Sequence, residues 1–176
     1  LDRAIEAVRL ARAQGLDVRL TLIGEGECEA SLRQQVAASG LQEAVRFLPP
    51  VPYGDPLFEQ LRTKHVCVAA PLVEDTPRAA FDAMARGLPV VAFDISYFAD
   101  LAQASGAVLL APWPDPGGLA EGFRQLLSDR TRLSSMASAG VEFARSNTQA
   151  IWLERRARWM KGIVRPPESA LALEGR

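Results

Sequence analysis

Cysteine and histidine are almost missing: Cys28, Cys67 and His65 are the whole complement of a 176-residue chain. The two thiols lie far apart, no metal-ligand spacing links them, and His65 has no neighbour in sequence to complete a site. A zinc centre, a disulfide scaffold and a redox pair are therefore excluded, and His65 reads as a structural or surface residue. Neither sign of charge dominates, since 20 Lys and Arg stand against 21 Asp and Glu for a net charge of −1. No overall field draws the protein to nucleic acid, so an anionic ligand must be held by local groups. No apolar run reaches the roughly 20 residues that cross a bilayer, and no signal-peptide pattern opens the chain. The expected location is the cytoplasm, with peripheral contact at the inner face of a membrane left open.

What is present is a chain 48% hydrophobic and 23% charged, enough apolar material for the core of one compact domain. Its first residue is Leu1 rather than Met, and the opening residues already carry helical periodicity, as expected of a piece of a longer protein. Ile5, Val8, Leu10 and Ala11 predict a helix over Ala4–Ala13, ended by Gly15. Val18–Ile23 predicts a strand that stops at Gly24-Glu25-Gly26, followed by a helix over Cys28–Ala38. The alternation continues with strands at Val45–Leu48, Val66–Ala70, Val90–Phe93 and Val108–Leu110. Helices are expected at Leu57–Arg62, Arg78–Arg86 and Phe98–Ala104, and three more over Leu119–Leu127, Leu133–Arg145 and Thr148–Lys161. Strands spaced in this way with helices between them pair in parallel through right-handed crossovers. The fold class is α/β, with a doubly wound, Rossmann-like parallel sheet. From Pro166 onward the chain has little to bury, and residues 165–176 are expected to form a mobile tail.

The stretch Val66–Phe93 carries the functional signal. A strand runs into a loop holding Glu74 and Asp75, and Thr76-Pro77 is suited to open a helix, Thr76 as its cap and Pro77 at the first helical position. Free N–H groups would then gather around Arg78 and Ala79 at the carboxyl end of a parallel strand, where anionic ligands bind in doubly wound sheets. Glu74 would weaken attraction for a bare phosphate. A carboxylate beside an anion site fits a ligand that also presents hydroxyl donors, as a sugar does. Gly24-Glu25-Gly26 lacks the third glycine of a dinucleotide fingerprint and reads as a turn lining a nucleotide pocket.

Glu74, Pro77, Asp82, Ala83-Met84-Ala85, Gly87 and Pro89-Val90-Val91-Ala92 together resemble the signature of the retaining GT-B glycosyltransferases of family 4, in their C-terminal, donor-binding domain. The likeness extends over about residues 1 to 160, including Leu22-Ile23-Gly24-Glu25-Gly26 and Val45-Arg46-Phe47-Leu48. It implies a GT-B C-terminal domain over residues 1–164 that binds a nucleoside diphosphate sugar. Glu74 would be the catalytic-site carboxylate on the donor sugar's hydroxyls, the N–H groups of Arg78 and Ala79 would face the diphosphate, and Asp82 would hold the ribose. Val51 would touch the base, with Gly24 in the pocket wall. The sugar passes to an acceptor hydroxyl with retention, and no cofactor or obligatory metal is expected, since no Asp-x-Asp motif occurs. The partners implied are the nucleotide-sugar donor, an N-terminal GT-B domain of the same chain, and an acceptor that the sequence leaves unnamed.

This chain departs from the pattern at three places. Asp82 stands where the family carries Glu, and one methylene fewer withdraws the carboxylate by about 1.5 Å. Asp75 replaces a frequent Gly, and Asp94-Ile95-Ser96 replaces a small Gly-Gly turn. The resemblance also places a first strand, whose turn bears an Arg and a Lys, ahead of Leu1-Asp2-Arg3-Ala4. In a doubly wound order that strand lies at the centre, between Val18–Ile23 and Val66–Ala70. Two other functions remain open at this level: a degenerate domain serving as a scaffold or partner-binding module, and a sugar-nucleotide epimerase of the same architecture. Trp152 and Trp159, interleaved with Arg155, Arg156, Arg158 and Lys161, read as a helix that packs on a second domain, with a membrane surface as the alternative.

Overall fold

The computed structural model describes residues 1–164, and the expected tail over 165–176 lies outside them. Among the described residues five short strands and eight helices follow one another, alternating as far as α6: α1 Asp2–Ala13, β1 Leu20–Ile23, α2 Glu29–Ala38, β2 Val45–Leu48, α3 Asp55–Arg62, β3 Cys67–Ala69, α4 Ala79–Ala85, β4 Val90–Phe93, α5 Ser96–Ser105, β5 Val108–Ala111, α6 Pro116–Ser128, α7 Arg130–Ser146 and α8 Gln149–Val164. Every strand pair is parallel. Leu20 pairs with Val45 and Ile23 with Leu48, Cys67 with Val90 and Ala69 with Ala92, and Val90 with Val108 and Phe93 with Ala111.

The ladders form two sheets, β1-β2 and β3-β4-β5, with no ladder joining β1 to β3. That division falls where the resemblance places a central strand. Both sheets nevertheless rest on one core, in which Leu20, Leu22 and Val45 join Val91, Phe93 and Ala111 beneath α1 and α6.

Strand β4 shows why the fold is doubly wound. All four of its residues are buried, and because successive side chains point to opposite faces, Val91 and Phe93 enter the α1/α6 core. Val90 and Ala92 enter a second core with Ala80, Met84, Phe98 and Leu101 from α4 and α5. A continuous apolar run is what a strand covered on both sides requires. On the first face α1 lies along α6, presenting Ala4, Ala7 and Ala11 beside Ile5 and Val8, all within 1% of full burial. Small residues let the two helices approach closely. Full burial of a side chain such as Ile5 or Leu119 contributes roughly 1.5–3 kcal/mol.

Some boundaries differ from those the sequence predicts. β1 starts at Leu20 rather than Val18, because Val18 turns back with its N–H on the Leu16 carbonyl at 3.0 Å and its own carbonyl accepts from Arg12 Nη1 at 3.0 Å. Helix α4 starts at Ala79, with Arg78 rather than Thr76 in the capping position. The Asp75 carboxylate accepts the Thr76 N–H at 2.7 Å, Thr76 caps nothing, and Pro77 precedes the helix. Asp55 and Pro56 already belong to the first turn of α3.

Candidate functional site

In a parallel sheet the carboxyl ends of all strands open on one edge, and the loops leaving them meet there. The loop leaving β3 cannot continue as strand or helix because Pro71 and Pro77 bracket it. It carries Glu74 to the start of α5, where Glu74 Oε1 accepts from the Ser96 backbone N–H at 3.1 Å and from Ser96 Oγ at 3.0 Å. Ser96 is the first residue of α5, so the carboxylate satisfies one of the helix's orphan donors and sits at the positive end of its dipole. Oε2 of Glu74 makes no hydrogen bond among the described residues.

This contact is part of an open cleft of about 560 Å³ lined by Leu72, Val73, Glu74, Asp94, Ser96 and Trp113, among others. Asp94 directly follows β4, with its N–H on the Ala111 carbonyl at 2.8 Å. Trp113 lies just beyond β5 and is half exposed, at 51%. Two carboxylates, a hydroxyl and an indole face bordering one cleft are suited to a polyhydroxylated ring, whose hydroxyls donate to carboxylates and whose C–H face packs on an aromatic plane. Sequence reasoning missed Asp94 and Trp113 as cleft residues. The available signal was their place just after β4 and β5, the strands that follow β3 across the same sheet.

Arg78 and Ala79 stand at the start of α4, exposed, and their N–H groups donate to no protein acceptor among the described residues. Helix α4 is only seven residues long, which limits the field at its end. Asp82 lies in its first turn and is half-buried. Its Oδ1 accepts from the Tyr53 hydroxyl at 3.0 Å, a contact that reaches back to the proline-rich loop after β2. The hydrogen bond to Asp82 raises the Tyr53 pKa above its ordinary value, with the Asp82 charge adding to the effect. Next to Ser96, burial raises the Tyr97 pKa and the charge of Asp75 reinforces that shift.

Val51 is half-buried in the same proline-rich loop. Gly24 ends β1 with φ +121°, a conformation open to glycine, and its N–H donates to the Leu48 carbonyl at 3.1 Å. The six residues singled out by sequence thus fall into separate groups. Glu74 borders the cleft, Asp82 pairs with Tyr53, and Arg78, Ala79, Val51 and Gly24 are not among the residues lining that cleft.

The family of glycosyl transferases group 1 matches residues 1–129. The chain is 32% identical over 126 residues to the amylovoran biosynthesis glycosyltransferase AmsK of Erwinia amylovora, covering 68% of this chain and 31% of that protein. It is 31% identical over 129 residues to a phosphatidyl-myo-inositol mannosyltransferase of Mycobacterium leprae, covering 73% of this chain and 34% of that one. The chain thus spans about a third of the length of these curated relatives. Among solved structures, Anabaena HepE in complex with UDP superposes with a TM-score of 0.78 at 19% identity, over 92% of this chain and 44% of HepE. WaaG, a glycosyltransferase involved in lipopolysaccharide biosynthesis, superposes with a TM-score of 0.68 at 17% identity, over 83% of this chain and 39% of WaaG.

Proposed function

The chain belongs to the group 1 glycosyltransferase family, and from that premise we propose that it is the donor-binding half of a retaining GT-B glycosyltransferase serving carbohydrate biosynthesis. The observation that carries this reading is the placement of Glu74, at the carboxyl end of a parallel strand, held by Ser96 through one oxygen in a cleft bordered by Asp94 and Trp113. The free Oε2 accepts a hydroxyl of the donor sugar. The unpaired N–H groups of Arg78 and Ala79 meet the diphosphate, Asp82 serves the ribose, and Val51 and Gly24 border the base. HepE is similar in fold and is solved with UDP and with UDP-glucose, which supports a nucleoside diphosphate sugar as the ligand class.

In the reaction, the bond from the anomeric carbon to the diphosphate oxygen breaks, a bond to the acceptor oxygen forms with configuration kept, and the acceptor hydroxyl's proton leaves with the diphosphate. The protein's part is to hold the donor in place and stabilise the charge that develops on the leaving diphosphate. No metal is required, so chelator leaves the rate unchanged. The second domain of the GT-B pair docks on α8, where Trp152, Leu153, Trp159, Met160 and Ile163 are all at least half exposed. Their spacing places these five side chains on one stripe of the helix. No helix among the described residues is long and apolar enough to cross a membrane, and a cytoplasmic location is proposed with the function.

The test is calorimetric titration of the full-length protein with UDP, ADP and GDP, followed by a transfer assay on it with the matching nucleotide sugars, the donor-binding half alone being inactive. Binding of one of them, and a loss of kcat of at least about 100-fold in Glu74→Gln with folding intact, are expected. Absence of binding to all three by folded protein defeats the reading. Isomerised donor formed without acceptor would instead identify an epimerase.

A further inference from the structure

Tyr53 is held at both ends and yet left in solvent. Its hydroxyl donates to Asp82 Oδ1 at 3.0 Å, and its ring meets Phe58 edge-on, with centroids 5.5 Å apart and planes at 74°. Phe58 in turn stacks under the Arg86 guanidinium at 3.8 Å, and Arg86 ends α4. The side chain is thus tied to α4 at Asp82 directly and at Arg86 through Phe58. It remains 73% exposed, so burial of apolar surface does not account for its position. An aromatic ring with a polar tip, held in fixed geometry and left in solvent, is suited to contact a ligand.

The hydrogen-bond inventory narrows the ligand. The Tyr53 proton is committed to Asp82, so the phenolic oxygen offers outward only lone pairs. Asp82 Oδ2 makes no hydrogen bond among the described residues, so it too is an acceptor. At these two oxygens an acceptor-only group such as phosphate finds no donor and meets the Asp82 charge. A cation is disfavoured by Arg78 and Arg86, whose charges act on Tyr53. What fits is a group with two adjacent hydroxyl donors.

We propose that Tyr53 Oη and Asp82 Oδ2 form a two-acceptor clamp for the cis-diol of the donor's ribose, making Tyr53 a specificity-determining residue. This rests on the nucleotide-sugar reading above. The clamp also accounts for the short acid at this position. Asp82 reaches about 1.5 Å less far than a glutamate, and Tyr53 Oη sets a second acceptor 3.0 Å from Oδ1.

The experiment is titration of the protein and of Tyr53→Phe with the nucleoside diphosphate that binds, chosen from UDP, ADP and GDP, and with its 2′-deoxy and 3′-deoxy analogues. Phenylalanine keeps the ring and the Phe58 contact, and thermal unfolding followed by circular dichroism confirms the fold. In the unaltered protein, loss of one ribose hydroxyl weakens binding by about tenfold, the size of one hydrogen bond to a charged group. In Tyr53→Phe the ribonucleotide binds about tenfold more weakly, and the penalty for one of the two deoxy analogues falls below about threefold. If folded Tyr53→Phe keeps the full deoxy penalty for both analogues, the clamp is refuted while the donor-site reading stands. If the folded, unaltered protein binds none of the three nucleotides, both fail together.

Discussion

Gly122 offers the most exacting test of how the fold is packed. It sits in the middle of α6, and a Cβ added there would lie 2.7 Å from Val91 Cγ1, 3.4 Å from Leu109 Cδ2 and 3.6 Å from Val91 Cγ2. Carbon atoms pack best at about 3.5–4.0 Å, so Gly122→Ala forces about 1 Å of relief. Val91 cannot easily provide it, being fully buried in β4 and stiff at χ1 as a β-branched residue. The overpacking cost is about 1–3 kcal/mol. Replacing a mid-helix glycine by alanine returns roughly 1 kcal/mol through the backbone. The net expectation is a loss of up to about 2 kcal/mol, or up to roughly 8 °C in Tm for a domain of this size. Val91→Ala removes both clashing methyl groups, and in that background Gly122→Ala should be neutral or stabilising by up to about 1 kcal/mol. Urea unfolding of the four proteins gives the coupling, expected at about 2 kcal/mol. A coupling below about 0.5 kcal/mol, or a stabilised single variant, would refute the claim that α6 lies directly on Val91.

Glu74→Ala should cost about 0.5–1 kcal/mol of stability by uncapping α5, so its effect on activity is to be compared with Ser96→Ala, which leaves the carboxylate in place. Asp115 caps α6 by accepting from the N–H groups of Gly117 at 2.8 Å and Gly118 at 3.0 Å. Asp115→Ala should lower stability by about 1 kcal/mol in a denaturant titration, and Asp115→Ser by less. Burial pushes the Cys67 thiol up to about 11, whereas Cys28 is exposed. At pH 8 a thiol reagent should therefore modify one cysteine rapidly in the folded protein and both in denaturant. Hydrogen bonding from Arg124, and then Gln125, lowers the Glu121 pKa from 4.5 to about 2. Because the folded value is depressed, its contribution is complete above about pH 4.5 and disappears as pH falls toward 2. The Tm difference between the protein and Glu121→Gln should shrink over that interval, and be small throughout because the pair is exposed.

The order of elements was legible because each leaves a local mark: continuous apolar residues in Val90–Phe93, helical spacing in Ile5, Val8 and Ala11, and glycines or prolines at the breaks. The start of α4 was not. Thr76-Pro77 has the composition of a helix opening, yet the Thr76 N–H is taken by the Asp75 side chain and the helix starts at Ala79. The acids of the site could be singled out, but not their partners. Glu74 meets Ser96 across 22 residues and Asp82 meets Tyr53 across 29, and such separations carry no periodic signal. Trp113 was hidden among prolines, where only the direction of the strands reveals that it overlooks the cleft.

The division of the sheet has a consequence for the main chain itself. Leu20 and Gly24 direct their N–H groups to carbonyls of the β2 side, and Cys67 directs its own to Pro89 beside β4. In a parallel strand alternate amides point to opposite flanks, so the amides of Thr21 and Ile23 point away from β2 and that of Val68 away from β4. Two rows of peptide groups therefore border the division, a template for any extended chain that lies between them. Such a template reads direction and length through the main chain, and the helix-covered faces of the sheet ask in addition for apolar side chains. Amide hydrogen exchange would expose it as a two-residue rhythm, with Leu20 slow, Thr21 fast and Ile23 fast, and a strand seated there would erase the alternation before it altered any side chain.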